Sequence, residues 1–323
     1  LWWSSFGDNS LDGLVDRALQ QNKSLEAGLA NVISARAALR VAESNALPYV
    51  LAGANVSTDS ESDFSDFSRS ARLSASYQLD LFGSVAASRE AAGASLDSAE
   101  FAQRALELSV ASDLATNYFN LQVAREQLAV ARDNLDIAER IFEIVEVRYE
   151  AGEISGFDLA SQEAALANSR AQIPQIEQQI LSLRTAIAIL VGQAPQQFDV
   201  AETDLYETDL PVPEAGLPSQ LLVRRPDLLQ AEADLRAGQA NVHVARAAML
   251  PSVDLGAGVT SLLTSMSDPT ASLSAALSQT VFSGGALEAQ LDSAKARRTA
   301  LLANYEQAIL TALREVDVAL SAI

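Results

Sequence analysis

The spacing of hydrophobic residues along the chain changes twice from a helical period to a strand-like one. Residues 24–46 have helical spacing up to Pro48, and proline ends a helix because it has no amide proton and clashes with the preceding turn. Pro251 stands at the same point of a second such segment. Beyond each proline, apolar and polar residues alternate, which is typical of a strand with two unlike faces. The pattern predicts two β-hairpins, at about residues 48–82 and 251–282.

Each predicted hairpin has one apolar and one polar face. The apolar positions are Val50, Val56, Leu73, Tyr77, Leu79, Val253, Leu255, Val259, Leu273 and Leu277. The polar positions are Arg72, Ser74, Ser76, Gln78, Asp80, Ser274, Ser278 and Thr280. Such strands suit a membrane-spanning barrel, with the apolar set facing lipid and the polar set facing the lumen, or an ordinary antiparallel sheet with one face on a core. Single-chain barrels begin at about eight strands, so on the barrel interpretation further copies of the chain must complete the barrel.

The two hairpins belong to an internal duplication. A shift of 203 positions aligns residues 25–56 with 228–259, where 11 of 32 pairs are identical, and a shift of 200 aligns residues 71–82 with 271–282. The predicted domains are an N-terminal equatorial segment at 1–23, repeat 1 at 24–195, an equatorial linker at 192–226 and repeat 2 at 227–323. Repeat 2 is expected to be truncated at its C-terminus, because Ile323 aligns with Val123 while repeat 1 continues to about residue 195.

Long helices are predicted after the first hairpin. Residues 85–150 contain no proline and a single glycine, and a helix of this length would extend roughly 100 Å. Apolar residues recur every seven positions in this segment and again in residues 157–191, which predicts an antiparallel coiled-coil hairpin with its turn, or tip, at 151–156. Pro174 is expected to kink the returning helix.

The composition of the chain excludes several classes of function. The formal net charge is -20, which excludes the basic footprint of a nucleic-acid-binding protein and predicts a cation-preferring lumen if enough carboxylates point inward. There is no cysteine and one histidine, so thiolate sites and multi-histidine zinc sites are excluded. No nucleophile elbow, dinucleotide or phosphate loop is present. We therefore predict no enzyme, no cofactor, no metal site and no catalytic residue; a transport duct and a soluble coiled-coil scaffold remain as alternatives.

Two motifs resemble a known family. Leu217–Ser219, Arg224–Leu228 and Ala231–Glu232 resemble the hallmark of TolC-type outer-membrane efflux proteins, in the branch that serves resistance-nodulation-division pumps. Arg148–Ser155 is similar to the periplasmic hairpin tip of that family. The resemblance extends over essentially the whole chain.

The resemblance implies a homotrimer whose chains share a 12-stranded transmembrane β-barrel in the bacterial outer membrane, above a helical tunnel that crosses the periplasm. The implied function is a passive exit duct that works with a periplasmic adaptor and an inner-membrane resistance-nodulation-division transporter; type I protein secretion is an alternative. The implied adaptor-docking residues are Gly152, Glu153, Ile154 and Ser155. The motif residues expected to be structural are Arg224, Arg225, Pro226 and Asp227.

Overall fold

The computed structural model describes residues 2–58, 67–203, 224–263 and 268–321. The chain forms two compact units. The first comprises Leu1–Ala27 and Leu106–Glu214, and the second comprises Gly28–Ala105 and Ala215–Ile323. Two of the boundaries between the units, after Ala27 and after Ala105, fall inside helices.

The first unit is helical. It contains a 3-10 turn at Trp3–Phe6, helix α1 at Asn9–Gln21, the first residues of α2 (Lys23–Ser44), most of α3 (Ser84–Glu150), helix α4 at Gly156–Leu190 and a second 3-10 turn at Pro195–Gln197. Its core is formed by apolar side chains of α1, α3 and α4. Fully buried among them are Leu11, Val15, Leu114, Leu121 and Ile187.

Helices α3 and α4 form an antiparallel hairpin that is crossed by two ion pairs. Arg132 of α3 lies 3.0 Å from Glu177 of α4, and Glu139 lies 2.9 Å from Arg170. The second pair is seven residues farther along α3 and seven residues back along α4, which is the spacing of a heptad repeat. Pro174 lies between the two pairs, and α4 continues through it.

The second unit contains the only sheet among the described residues. Strands β1 (Tyr49–Thr58), β2 (Phe67–Leu79), β3 (Ser252–Leu262) and β4 (Thr270–Ser278) are antiparallel and lie in the order β1-β2-β3-β4. Helix α2 leads into β1 and α3 follows β2, while α5 (Pro226–Ala247) leads into β3 and α6 (Ala286–Ser321) follows β4. The order helix, hairpin, helix therefore occurs twice along the chain.

Close packing and ion pairs join the helices of the second unit. Gly238 of α5 faces Leu301 of α6 so closely that a Cβ on Gly238 would lie 2.5 Å from Leu301 Cδ1. Arg36 of α2 pairs with Glu100 of α3 at 3.1 Å, and Arg236 of α5 pairs with Asp97 of α3 at 3.0 Å. Helix α3 is therefore tied to one helix of each repeat.

The observed elements differ from the predicted ones in a few places. Helix α1 lies in the predicted N-terminal equatorial segment at 1–23, where the sequence analysis named no helix. Strand β4 ends at Ser278, several residues before the predicted end of the second hairpin. Most of the predicted linker, at 204–223, lies outside the described residues, and so do the motif residues Leu217–Ser219. Residues 59–66, between β1 and β2, and 264–267, between β3 and β4, also lie outside them.

Candidate functional site

The register of the sheet brings the predicted apolar residues together on one face. In an antiparallel pair, residues directly opposite each other share a face. Leu73 lies opposite Ala52 of β1 and opposite Val259 of β3, and Ala257 of β3 lies opposite Leu273 of β4. All ten residues of the predicted lipid-facing set lie on this face by the same register. We call it the apolar face of the sheet.

The apolar face is exposed. Leu273 has 90% of its surface exposed, Leu277 has 73% and Val50 has 61%. No core made by the described residues covers these side chains, so the sheet does not have the arrangement of an ordinary sheet packed on a core. A contiguous exposed apolar surface marks contact with a membrane or with another protein.

The opposite face, which we call the polar face, carries most of the predicted lumen-facing set. Arg72 lies opposite Gly53 and Thr260, and Ser274 lies opposite Gly256. Ser74, Ser76, Gln78 and Ser278 lie on this face as well.

Asp80 and Thr280, which were predicted to line the lumen with these residues, lie outside the strands. The carboxylate of Asp80 accepts hydrogen bonds from the backbone N–H groups of Val85, at 3.1 Å, and Ala86, at 2.8 Å. Asp80 thus satisfies amide donors at the N-terminus of α3, where a negative charge is also favoured by the helix dipole. Thr280 lies beyond the last residue of β4.

The tip between α3 and α4 begins with a glycine-dependent helix end. Gly152 has φ +75°, the left-handed conformation that costs other residues energy. Its N–H donates to the carbonyl of Tyr149, and the N–H of Glu153 donates to the carbonyl of Arg148, each at 2.9 Å. These two bonds make a Schellman motif, which satisfies the last carbonyls of α3. The Arg148 guanidinium also lies 3.2 Å from the Glu153 carboxylate.

The returning helix begins with a capping box. The Ser155 hydroxyl accepts from the N–H of Asp158 at 3.3 Å, and the Asp158 carboxylate accepts from the N–H of Ser155 at 3.1 Å. Hydrogen bonds from Ser155 hold the pKa of Asp158 below its usual range. Backbone groups at the end of α3 and at the start of α4 both have hydrogen-bond partners within the tip. The tip therefore has a defined backbone conformation.

An exposed aromatic residue at the tip was missed by the sequence analysis. Phe157 has 80% of its surface exposed, although it lies in the first turn of α4. Next to it, a Cβ on Gly156 would lie 3.8 Å from the ring of Tyr149, so that ring packs against the start of α4. The sequence could have indicated that Phe157 is exposed. A large apolar residue directly after a capped turn does not fit the heptad positions that continue from Leu159.

Arg225 of the predicted structural motif ties α5 to α6. Its guanidinium donates to both carboxylate oxygens of Asp227, at 3.0 and 2.8 Å, and to Glu315 of α6 at 2.8 Å. The hydrogen bonds from Arg225 lower the pKa of Asp227, and those to Asp227 and Glu315 raise the pKa of Arg225. Pro226 is the first residue of α5, where the missing amide proton has no cost, while Arg224 is exposed.

Helix α3 also presents an apolar row that the first unit leaves uncovered. Val123, Val130, Ile137 and Ile144 recur every seven residues, with exposed fractions of 41%, 57%, 54% and 61%. A groove of about 600 Å³ runs beside this row between α3 and α4 and is lined in part by Ile176. The row has the spacing of a coiled-coil seam without a described partner.

Two further observations on the described residues concern membrane helices and metal sites. Within the described ranges, no helix is long and apolar enough to cross a membrane. Nor does any group of histidine, aspartate or glutamate side chains in those ranges have the arrangement of a metal site.

Comparison with known proteins decides the family. Residues 14–193 and 217–323 match the family described as outer membrane efflux protein. The chain belongs to the outer membrane efflux protein family. The pyoverdine export outer membrane protein OpmQ of Pseudomonas aeruginosa is 38% identical over 339 residues, which cover 100% of this chain and 72% of OpmQ.

Two further members of the outer membrane efflux protein family agree with this assignment. The cation efflux system protein CusC of Escherichia coli is 31% identical over 338 residues, covering 99% of this chain and 72% of CusC. The crystal structure of the open state of the Neisseria gonorrhoeae MtrE outer membrane channel matches with a TM-score of 0.84 at 31% identity, covering 97% of this chain and 72% of MtrE.

The family members and structural neighbours establish the fold class, function and location of the protein. The fold is that of the trimeric barrel channels among the structural neighbours of the chain, as expected from the sequence. The protein is an outer-membrane efflux channel of the kind found in tripartite pumps, and it extends into the periplasm. The predicted family, fold class, function and location are therefore confirmed.

Proposed function

We propose that three copies of this chain form one exit duct, in which their sheets join into a single 12-stranded barrel. The observation that carries this proposal is a two-faced sheet with two open edges. Strand β1 pairs only with β2, and β4 pairs only with β3, among the described strands. In a membrane, an open edge would leave N–H and C=O groups without partners, at several kcal/mol for each group.

Pairing β4 of one copy with β1 of the next removes both open edges. The internal repeat supplies a register for this contact, because β3 is the counterpart of β1 and β4 the counterpart of β2. Leu73 lies opposite Val259 at the β2–β3 contact inside the chain. The equivalent positions between copies are Leu273 and Val56 of the neighbour. Both lie on the apolar face, so the alternation of faces continues around the ring.

Within this duct, the apolar face contacts lipid and the polar face lines the lumen. The tip at Gly152–Ser155 docks a periplasmic adaptor, and an inner-membrane resistance-nodulation-division transporter supplies the solute and the energy. The rigid capping of both helix ends supports this role, because a preformed tip loses little conformational entropy on binding. Phe157 adds an exposed aromatic side chain of the type that anchors protein interfaces.

Cysteine cross-linking tests the assembly, since the chain has no cysteine of its own. Val56→Cys and Leu273→Cys together, treated with a short bis-maleimide in membranes, should give a ladder that ends at the trimer. Each single variant is the matched control and should give no trimer. A doubly substituted protein that stays monomeric, or that cross-links beyond three chains, contradicts the proposed ring.

A further inference from the structure

The polar face of the sheet is almost free of charge. Its positions on the four strands are mostly serine, threonine, glycine, asparagine and glutamine. Among the described strand residues, the charged side chains on this face are Arg72 of β2 and Asp254 of β3. The net charge of -20 of the chain is therefore not carried by this face.

Small residues lie directly opposite Arg72 on both neighbouring strands of the polar face. Gly53 lies directly opposite it on β1, and Thr260 lies opposite it on β3. A Cβ on Gly53 would meet no atom within 4 Å, so the space beside the Arg72 side chain is open. Arg72 is exposed, and no carboxylate in the described part of the chain forms an ion pair with it.

Arg72 and Asp254 lie too far apart along the sheet to neutralise each other. Asp254 is opposite Gln78, which is six residues from Arg72 along β2. At about 3.4 Å per residue, the two charges are about 20 Å apart along the strand, or about two Debye lengths at 0.1 M salt. Arg72 lies toward the hairpin turns, and Asp254 lies toward the helices.

We infer that Arg72 forms a ring of three positive charges in the outer half of the barrel lumen and biases the exit toward anionic solutes such as carboxylates. The inference rests on the proposed three-chain duct, in which each copy contributes one arginine at the same level. Asp254 forms a separate negative ring nearer the periplasm. A solute leaving the cell passes the acidic ring first and the arginine ring second.

The dimensions of the barrel make such a ring effective. Twelve strands spaced about 4.8 Å apart and tilted by about 40° give a barrel about 24 Å in diameter. Because an arginine side chain extends several ångströms inward, the barrel axis is less than about 12 Å from each guanidinium. This distance is comparable to the Debye length of about 10 Å at 0.1 M salt, so the three charges act on the whole cross-section.

Single-channel recording across a potassium chloride gradient tests the inference on the full-length protein. Arg72→Gln should raise the ratio of potassium to chloride permeability about twofold, from screened Coulomb interactions with three charges. Asp254→Asn should shift the ratio in the opposite direction. Arg69→Gln is the matched control: it removes the same charge three residues away, on the apolar face opposite Val56, and should leave the ratio unchanged.

The outcomes separate the inference from the proposed function. If the unaltered protein forms no channel, the proposed three-chain duct is wrong, and the inferred arginine ring is overturned as well. If channels form and Arg72→Gln has the same permeability ratio as Arg69→Gln, the duct stands and the arginine ring is overturned. If Arg69→Gln alone changes the ratio, the faces of the sheet are assigned the wrong way round, which also overturns the inference.

Discussion

At the residue scale, Tyr118 shows how one buried hydroxyl joins three parts of the first unit. The side chain is fully buried, and its hydroxyl donates a hydrogen bond to Asp8 and lies 2.7 Å from the Thr203 hydroxyl. The other carboxylate oxygen of Asp8 accepts from the N–H groups of Ser10 and Leu11 at the start of α1. Removal of the Tyr118 hydroxyl would leave a buried carboxylate oxygen without this donor.

We expect Tyr118→Phe to lower the free energy of unfolding by about 1.5–3 kcal/mol, because a hydrogen bond to a charged group is lost in a buried site. Chemical denaturation in detergent measures the change. Tyr149→Phe is the matched control, since Tyr149 is 44% exposed, and it should change stability by less than about 0.5 kcal/mol. Equal effects of the two substitutions would contradict the structural role of Tyr118.

The same residue predicts a dependence of stability on alkaline pH. Burial, and then the hydrogen bond to Asp8, raise the pKa of Tyr118 above its ordinary value near 10. The stabilisation is therefore complete below about pH 10 and is lost as pH rises through the folded pKa, since the unfolded chain releases the phenolic proton first. Melting temperatures from pH 8 to 11 should fall more steeply for the native protein than for Tyr118→Phe.

At the element scale, the tip depends on one glycine conformation. Gly152→Ala places a Cβ on a residue with φ +75° and should destabilise the end of α3 by about 1–2 kcal/mol. Gly93→Ala is the matched control, because Gly93 lies inside α3 with no atom within 4 Å of a Cβ, and it should be neutral or stabilising. Hydrogen exchange at Arg148–Asp158 measures the local effect, and unchanged protection in Gly152→Ala would contradict it.

The exposed aromatic side chain of the tip gives a prediction about docking. We expect Phe157→Ala to weaken binding to the isolated periplasmic adaptor about tenfold, as for a central interface anchor, with little change in melting temperature. Ile189→Ala, at a 67% exposed apolar position near the other end of α4, should bind normally. Surface plasmon resonance with the full-length channel in detergent measures both, and equal binding by the two variants would remove Phe157 from the docking surface.

At the scale of the whole molecule, the uncovered apolar row on α3 predicts that assembly buries it. Ile137 is 54% exposed in the chain, and a polar side chain there costs the single chain little. Ile137→Asn should therefore reduce the fraction of trimer in detergent, measured by analytical ultracentrifugation, without lowering helix content. Asp133→Asn on the same helix is the control. A full yield of trimer from Ile137→Asn would show that the row is not a contact between copies.

The sequence determined the type and order of the main elements, because the period of apolar residues is a local property of the chain. Proline at 48 and 251 separated helix from strand, and alternation separated the two faces of the sheet. The absence of breakers predicted a long helix at 85–150, which the structure has at Ser84–Glu150. The duplication also determined that the two hairpins are equivalent. Alternation alone left open whether the apolar face contacts lipid or a protein core, since an apolar face is stable in both environments.

Only the tertiary structure decided which side chains act together. It gave the register that sets Arg72 beside Gly53 and 20 Å or so from Asp254, and it assigned Asp80 to the end of α3. It also buried Tyr118 against Asp8, 110 residues away, and left Phe157 exposed. The physical reason is that burial and pairing depend on groups distant in the chain, whereas helix and strand periods depend on neighbours.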